Sequence, residues 1–173
     1  MGALETRDMY VEMPRTGDGR RAPKVCFAAS SGGHLEEILR LRRMREAYPH
    51  FFITEKAAGM ESLAGEKVYA LPQMKRSDPA ISILMARAFA RTARCLLTER
   101  PDIVVSTGAL ATVPAVLLGG LFGSKVVYIE SQARTSSLSM TGKVAKRFAD
   151  AFFVQWESLV EAVPGTIYRG MLS

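Results

Sequence analysis

One of only two histidines in the 173-residue chain, His34, directly follows Ser30-Ser31-Gly32-Gly33. Paired glycines let backbone N–H groups approach an anion closely, and an imidazole at a helix start can act as a general base near neutral pH. The same residues would also serve as a tight turn with His34 capping the helix, and the local pattern leaves both readings open. A second small-residue run, Ser106-Thr107-Gly108-Ala109-Leu110-Ala111-Thr112, either joins the first in one anion cradle or lets the helix behind it pack closely. A third stretch places Glu130 and Arg134 just past the apolar Val127-Tyr128-Ile129, ahead of Ser136, Ser137, Ser139 and Thr141. It suits a ligand rich in hydroxyls, unless Glu130 and Arg134 pair with each other or cap the next helix.

Several chemistries are excluded by what is missing. No GxxxxGK[ST] string occurs, so there is no Walker loop. Glu55 sits where the acidic residue of a dinucleotide fingerprint would fall, but the glycines read GGHLEE instead of GxGxxG, which leaves a nucleotide-binding oxidoreductase weakly supported. Two cysteines, Cys26 and Cys95, cannot build a disulfide scaffold or a CxxC site, and two histidines cannot make a histidine-rich metal centre. No RNP, zinc-finger or helix-turn-helix signature points to nucleic acid. No window of ~20 apolar residues spans a membrane, and the first residues lack the apolar stretch of a signal peptide, so the expected address is the cytoplasm.

The elements that position these loops read as alternating strands and helices. Apolar runs at 24–30, 51–54, 67–71, 102–105, 125–129 and 151–154 are strands; helices are expected over 35–47, 79–99, 111–122 and 142–148. Strands apolar throughout, separated mostly by helices, predict an α/β fold: a doubly wound, parallel, Rossmann-like sheet. Ligands of such sheets bind at the carboxyl ends of the strands, where all three polar stretches fall. Residues 1–23 are polar and without periodicity, and are expected to be a disordered lead-in; residues 24–173 form the domain.

The formal charge of +6 lies on the domain. Residues 24–149 carry eighteen Lys/Arg against ten Asp/Glu, while 1–23 are balanced and 150–173 are net negative. Arg87, Arg91 and Arg94 share one helix face, extended by Lys75, Arg76 and Arg100; Arg40, Arg42, Arg43 and Arg45 form a second cluster. Each is either a solvated helix face or a surface for an anionic bilayer.

Together, ASSGGHLEEIL, STGALATVPA, VVYIESQARTSSLSMTGK and ADAFFVQWESL…YRGMLS resemble one family over nearly all of residues 24–173. This is the acceptor-binding, membrane-recruiting subunit of the two-component UDP-N-acetylglucosamine transferase of lipid-linked oligosaccharide assembly, in its bacterial exopolysaccharide form. The resemblance implies the N-terminal, acceptor half of a GT-B glycosyltransferase, similar to that half of the peptidoglycan lipid-I N-acetylglucosaminyltransferase. It implies inverting transfer of N-acetylglucosamine or a related sugar from a UDP-sugar to a polyprenyl-diphosphate-linked saccharide. The UDP-sugar is the donor substrate, no metal or other cofactor is required, and a separate small subunit binds the donor.

Carried onto this chain, the resemblance makes His34 the candidate base. Ser31, Gly32, Gly33 and Gly108 shape the acceptor-diphosphate cradle with Arg134, and Glu130 joins His34 as a catalytic candidate, orienting acceptor or donor groups together with Arg134. Tyr168, Gly170 and Leu172 lie in the segment that holds the partner, so deleting 168–173 is expected to abolish the complex. Eukaryotic members carry an N-terminal membrane-spanning helix, whereas residues 1–23 here are polar. Attachment to the cytoplasmic face of the inner membrane is then expected to be peripheral, with Arg87, Arg91 and Arg94 facing it, or to go through a membrane-bound partner. A non-catalytic scaffold for the small subunit is the alternative.

Overall fold

A computed structural model describes residues 21–56, 60–75 and 77–172. The expectation for residues 1–23 falls mostly outside these, as do Arg76 and Ser173. Within β1 (Val25–Ala29) every residue is buried, because both faces of the strand are covered. Val25, Phe27 and Ala29 enter one core with Leu35 and Ile38, while Cys26 and Ala28 enter a second with Ala88, Cys95 and Ala115. This period of two on a strand buried on both sides is what a helix-covered parallel sheet requires.

Around β1 the chain lays down α1 (Gly33–Leu39), α2 (Arg42–Ala47), β2 (His50–Glu55), β3 (Val68–Leu71), α3 (Ile81–Glu99), β4 (Ile103–Gly108), α4 (Val113–Leu121) and β5 (Lys125–Ile129). It continues with α5 (Met140–Ala145), β6 (Ala151–Val154), α6 (Ser158–Ala162) and β7 (Ile167–Tyr168). The strands form one parallel sheet in the order β3-β2-β1-β4-β5-β6-β7. The order reverses direction at β1/β4, the switch point beside which α/β folds open their ligand crevice.

Four details differ from the sequence reading. The first helix is broken at Arg40-Leu41, and the Arg45 guanidinium returns to the Leu39 carbonyl that the break exposes (3.4 Å). Strand β4 runs on through Ser106 and Thr107, both fully buried, before a 3-10 turn at Leu110–Thr112. The helix after the third polar stretch starts at Met140, because Ser139 caps it by accepting from the Gly142 amide (2.9 Å). Finally, α6 and the two-residue β7 were not foreseen, and they extend the sheet to seven strands.

The helices divide by charge. On α3, α4 and α5 the one acidic residue is Glu99, which is buried and held by Lys24, Lys67 and Tyr69. Burial pushes its carboxyl up, but the three donors outweigh burial and hold it at about 2. No helix among the described residues is long and apolar enough to cross a membrane.

Candidate functional site

The three polar stretches meet at the carboxyl end of the sheet. The carbonyl of His34 accepts from Thr107 Oγ1 (2.8 Å), so the first loop is fastened to the end of β4. A Cβ built on Gly108 would lie 3.6 Å from His34 Cε1 and 2.5 Å from the Tyr128 hydroxyl. With φ at +106°, position 108 has neither the backbone conformation nor the room for a side chain. Ala109 follows at φ +81°, a strained conformation for a residue with a Cβ. Thr112 Oγ1, which accepts from Ser106 Oγ (3.1 Å), lies 2.9 Å from the carbonyls of both Gly108 and Ala109 and holds the turn in place.

Beside Gly108, the His34 side chain is 29% exposed. Its Nδ1 is buried without a hydrogen-bond partner and faces Glu37 Oε2 at 3.7 Å. Gly32 (φ +81°) and Gly33 border open space, since a Cβ on either would meet nothing within 4 Å.

Glu130 is fully buried and does not pair with Arg134. Its carboxylate accepts from the amides of Ser131 (3.1 Å) and Ser139 (3.0 Å) and from Ser139 Oγ (3.2 Å), tying both ends of the 131–139 loop to one point. Both oxygens thus bond within the chain, which makes Glu130 an organiser of the loop instead of a group presented to a ligand. The Arg134 side chain is exposed and has no hydrogen bond or ion pair among the described residues. Burial, and then the Glu130 carboxylate, push the Tyr128 phenol well up, so its hydroxyl stays neutral.

Glu55, the residue a dinucleotide site would need, is buried and accepts from the Met74 amide (2.9 Å). Among the described residues no three His, Cys, Asp or Glu converge to hold a metal.

Four contributors escaped sequence reasoning. Glu37 reads as a surface glutamate beside Glu36, and its signal was the three-residue spacing from His34. Gly142 lies inside a helix, which is itself a sign of close approach; a Cβ there would sit 1.9 Å from Glu130 Oε2. Trp156 donates to the Gln132 carbonyl (2.6 Å) and Ser158 to that of Thr135 (2.6 Å), so the chain after β6 braces the loop.

At the carboxyl terminus the docking expectation changes in part. Leu172 is buried in the chain's own core; its amide donates to Gln155 Oε1 (2.9 Å) and its carbonyl accepts from Arg40 (2.9 Å). Its side chain is therefore closed to a partner. Tyr168 is half-buried on the edge strand, and Met171, in the same segment, is exposed. Arg87, Arg91 and Arg94 are all exposed on α3. The second basic cluster does not join them: α1 packs on the opposite face of the sheet, Arg42 pairs with Glu46 (2.6 Å), and Arg45 pairs with Glu66 (2.7 Å).

A family profile described as "Oligosaccharide biosynthesis protein Alg14 like" matches residues 75–172. The chain belongs to the Alg14-like family. Its match to the UDP-N-acetylglucosamine transferase subunit ALG14 of Mus musculus is 30% identical and covers 88% of this chain and 84% of that one. That to ALG14 of Eremothecium gossypii is 32% identical and covers 85% and 79%. Among solved structures, MurG of Acinetobacter baumannii aligns with TM-score 0.71 at 16% identity, over 87% of this chain and 46% of that one. The UDP-N-acetylglucosamine 2-epimerase of Rickettsia bellii aligns with TM-score 0.67 at 12% identity, over 87% and 45%. This Alg14-like chain thus spans just under half the length of both structures, and at such identities the likeness establishes the fold alone.

Proposed function

We propose that the chain is the acceptor-binding half of a heteromeric, inverting glycosyltransferase that extends a polyprenyl-diphosphate-linked saccharide from a UDP-sugar donor. The observation that carries this reading is His34, partly open beside Gly108 at the carboxyl end of a sheet that matches half of a two-domain fold. A small donor-binding subunit supplies the other half.

In the reaction the acceptor hydroxyl attacks the anomeric carbon. The bond from that carbon to the UDP oxygen breaks, UDP leaves with its electron pair, and His34 takes the hydroxyl proton and returns it to solvent. The acceptor diphosphate is assigned to Ser31, Gly32 and Gly33, where the two glycines border open space, and Arg134, exposed on the 131–139 loop, is the cation assigned to it. Glu130 acts at a distance, by holding the loop that carries Arg134.

Attachment to an anionic membrane surface is supported by the α3–α4–α5 face. Ile83 and Leu97 on α3, Leu121 and Phe122 at the end of α4, Met140 and Val144 on α5, and Phe148 in the turn after it are exposed apolar residues. The same elements carry Arg87, Arg94, Lys143 and, just past α5, Arg147, all exposed, with no exposed acid on the three helices. On α5 the small Thr141, Gly142 and Ala145 face inward and the large side chains outward, the reverse of a solvated helix. Exposed apolar and basic residues together on these elements fit a bilayer interface.

The test is co-expression with the small subunit, followed by transfer assays over UDP-N-acetylglucosamine, UDP-glucuronate, UDP-glucose and UDP-galactose. Wild-type complex is expected to transfer one of them, and His34→Ala to cut that rate about 10²- to 10⁴-fold with the complex intact. An undiminished rate would leave the chain a scaffold for its partner.

A further inference from the structure

We infer that Glu37 is a positioning residue for His34: it fixes the proton on Nδ1 and so leaves Nε2 free to take the acceptor's proton. The inference rests on the reading of His34 as the base. Two buried polar atoms without a hydrogen-bond partner, His34 Nδ1 and Glu37 Oε2, face each other at 3.7 Å, one helical turn apart on α1. Each would be costly to leave unpaired, and one proton on Nδ1 satisfies both once the side chains close by about 0.9 Å.

The rest of Glu37 is already anchored. The residue is 4% exposed, and Oε1 accepts from Ser131 Oγ and the Gln132 amide, each at 2.9 Å. The His34 backbone is fastened to Thr107, so only side-chain rotation is needed. Nε2 has no partner among the described residues and is not one of the buried unpaired atoms. The two nitrogens therefore have different surroundings: one faces a fixed carboxylate, the other is left for substrate.

A carboxylate accepts and cannot donate, so it selects the tautomer with hydrogen on Nδ1. In that tautomer the Nε2 lone pair receives the hydroxyl proton as the O–H bond breaks. The positive charge the ring acquires then lies against Glu37. The same glutamate holds the 131–132 turn, so the base and that turn are mechanically linked.

The test uses Glu37→Gln, which is isosteric and keeps an oxygen for Ser131 and Gln132 but can offer its amide to Nδ1. With only two histidines in the chain, nitrogen NMR of ¹⁵N-histidine-labelled protein reports each ring separately. His50, held between the Tyr48 carbonyl and Glu66, is the internal reference. Wild type is expected to show His34 with hydrogen on Nδ1, and Glu37→Gln to move it to Nε2 with His50 unchanged. In the complex with the small subunit, Glu37→Gln is expected to lower kcat about 10- to 10³-fold with acceptor KM within about threefold, and to have no further effect in a His34→Ala background. An unchanged tautomer, or an equal additional loss in that background, would overturn the assignment of Glu37 and leave the base reading standing. Full transfer by His34→Ala alone would instead overturn the base reading.

Discussion

The carboxylate of Glu130 occupies the space that a side chain at Gly142 would need: a Cβ there would lie 1.9 Å from Oε2. This contact lets α5 press against the buried acid that gathers both ends of the 131–139 loop. Gly142→Ala is therefore expected to destabilise the domain by about 1–3 kcal/mol, through overpacking and displacement of Glu130 from Ser139. Urea unfolding measures it, and a midpoint equal to wild type would show that the contact yields without strain.

Gly108 and Tyr128 form a second tight pair. Gly108→Ala forces a Cβ to 2.5 Å from the tyrosine hydroxyl at φ +106°, while Tyr128→Phe removes that hydroxyl. The glycine variant is expected to lose about 2–4 kcal/mol, from a clash and a strained backbone. The double variant should recover about 1 kcal/mol or more of that loss, leaving the backbone strain. Additive losses in a double-mutant cycle would mean that the hydroxyl is not the obstacle.

The Glu99 cluster sets a response to acid. Its carboxyl is held at about 2, below the ordinary value of an unfolded glutamate, so it contributes stability that is full above about pH 4.5. That contribution falls as pH drops toward 2, because the unfolded chain then binds the proton first. Glu99→Gln should flatten the stability–pH curve across this window, by on the order of 3 kcal/mol. Parallel curves for the two proteins would remove Glu99 from the account.

Much of this was legible in the chain. Val25–Ala29 and residues 126–129 are apolar without alternation, which only a sheet covered on both sides explains, and Gly32-Gly33-His34 marks its own loop. What was hidden depended on distant partners. Glu37 looks like any helix-surface glutamate until the 131–132 turn covers it. The Ser139 cap moved α5 two residues earlier than its apolar pattern suggested. Ile167–Tyr168 is too short to show a strand period and exists because β6 offers it an edge. The Arg40–Arg45 cluster reads as one surface, but the break at Leu41, the pairing of Arg42 with Glu46 and that of Arg45 with the distant Glu66 disperse it.

The apolar and basic face of α3, α4 and α5 gives a membrane prediction. Replacing Met140, Val144 and Phe148 by serine should weaken co-sedimentation with phosphatidylglycerol-containing vesicles by about tenfold or more, without loss of fold, since all three are exposed. Arg87→Gln with Arg94→Gln should weaken binding and reduce its dependence on salt. Undiminished vesicle binding by both variants would place the membrane contact elsewhere.

On the proposed function this chain holds half of an active site. The most direct test is the initial rate of sugar transfer from labelled UDP-N-acetylglucosamine, or the donor the panel identifies, to a polyprenyl-diphosphate-linked acceptor. The rate is measured for the chain alone, the small subunit alone and the two combined. Turnover is expected in the combined sample, with none above background in either component. Sustained turnover by the isolated chain would contradict this.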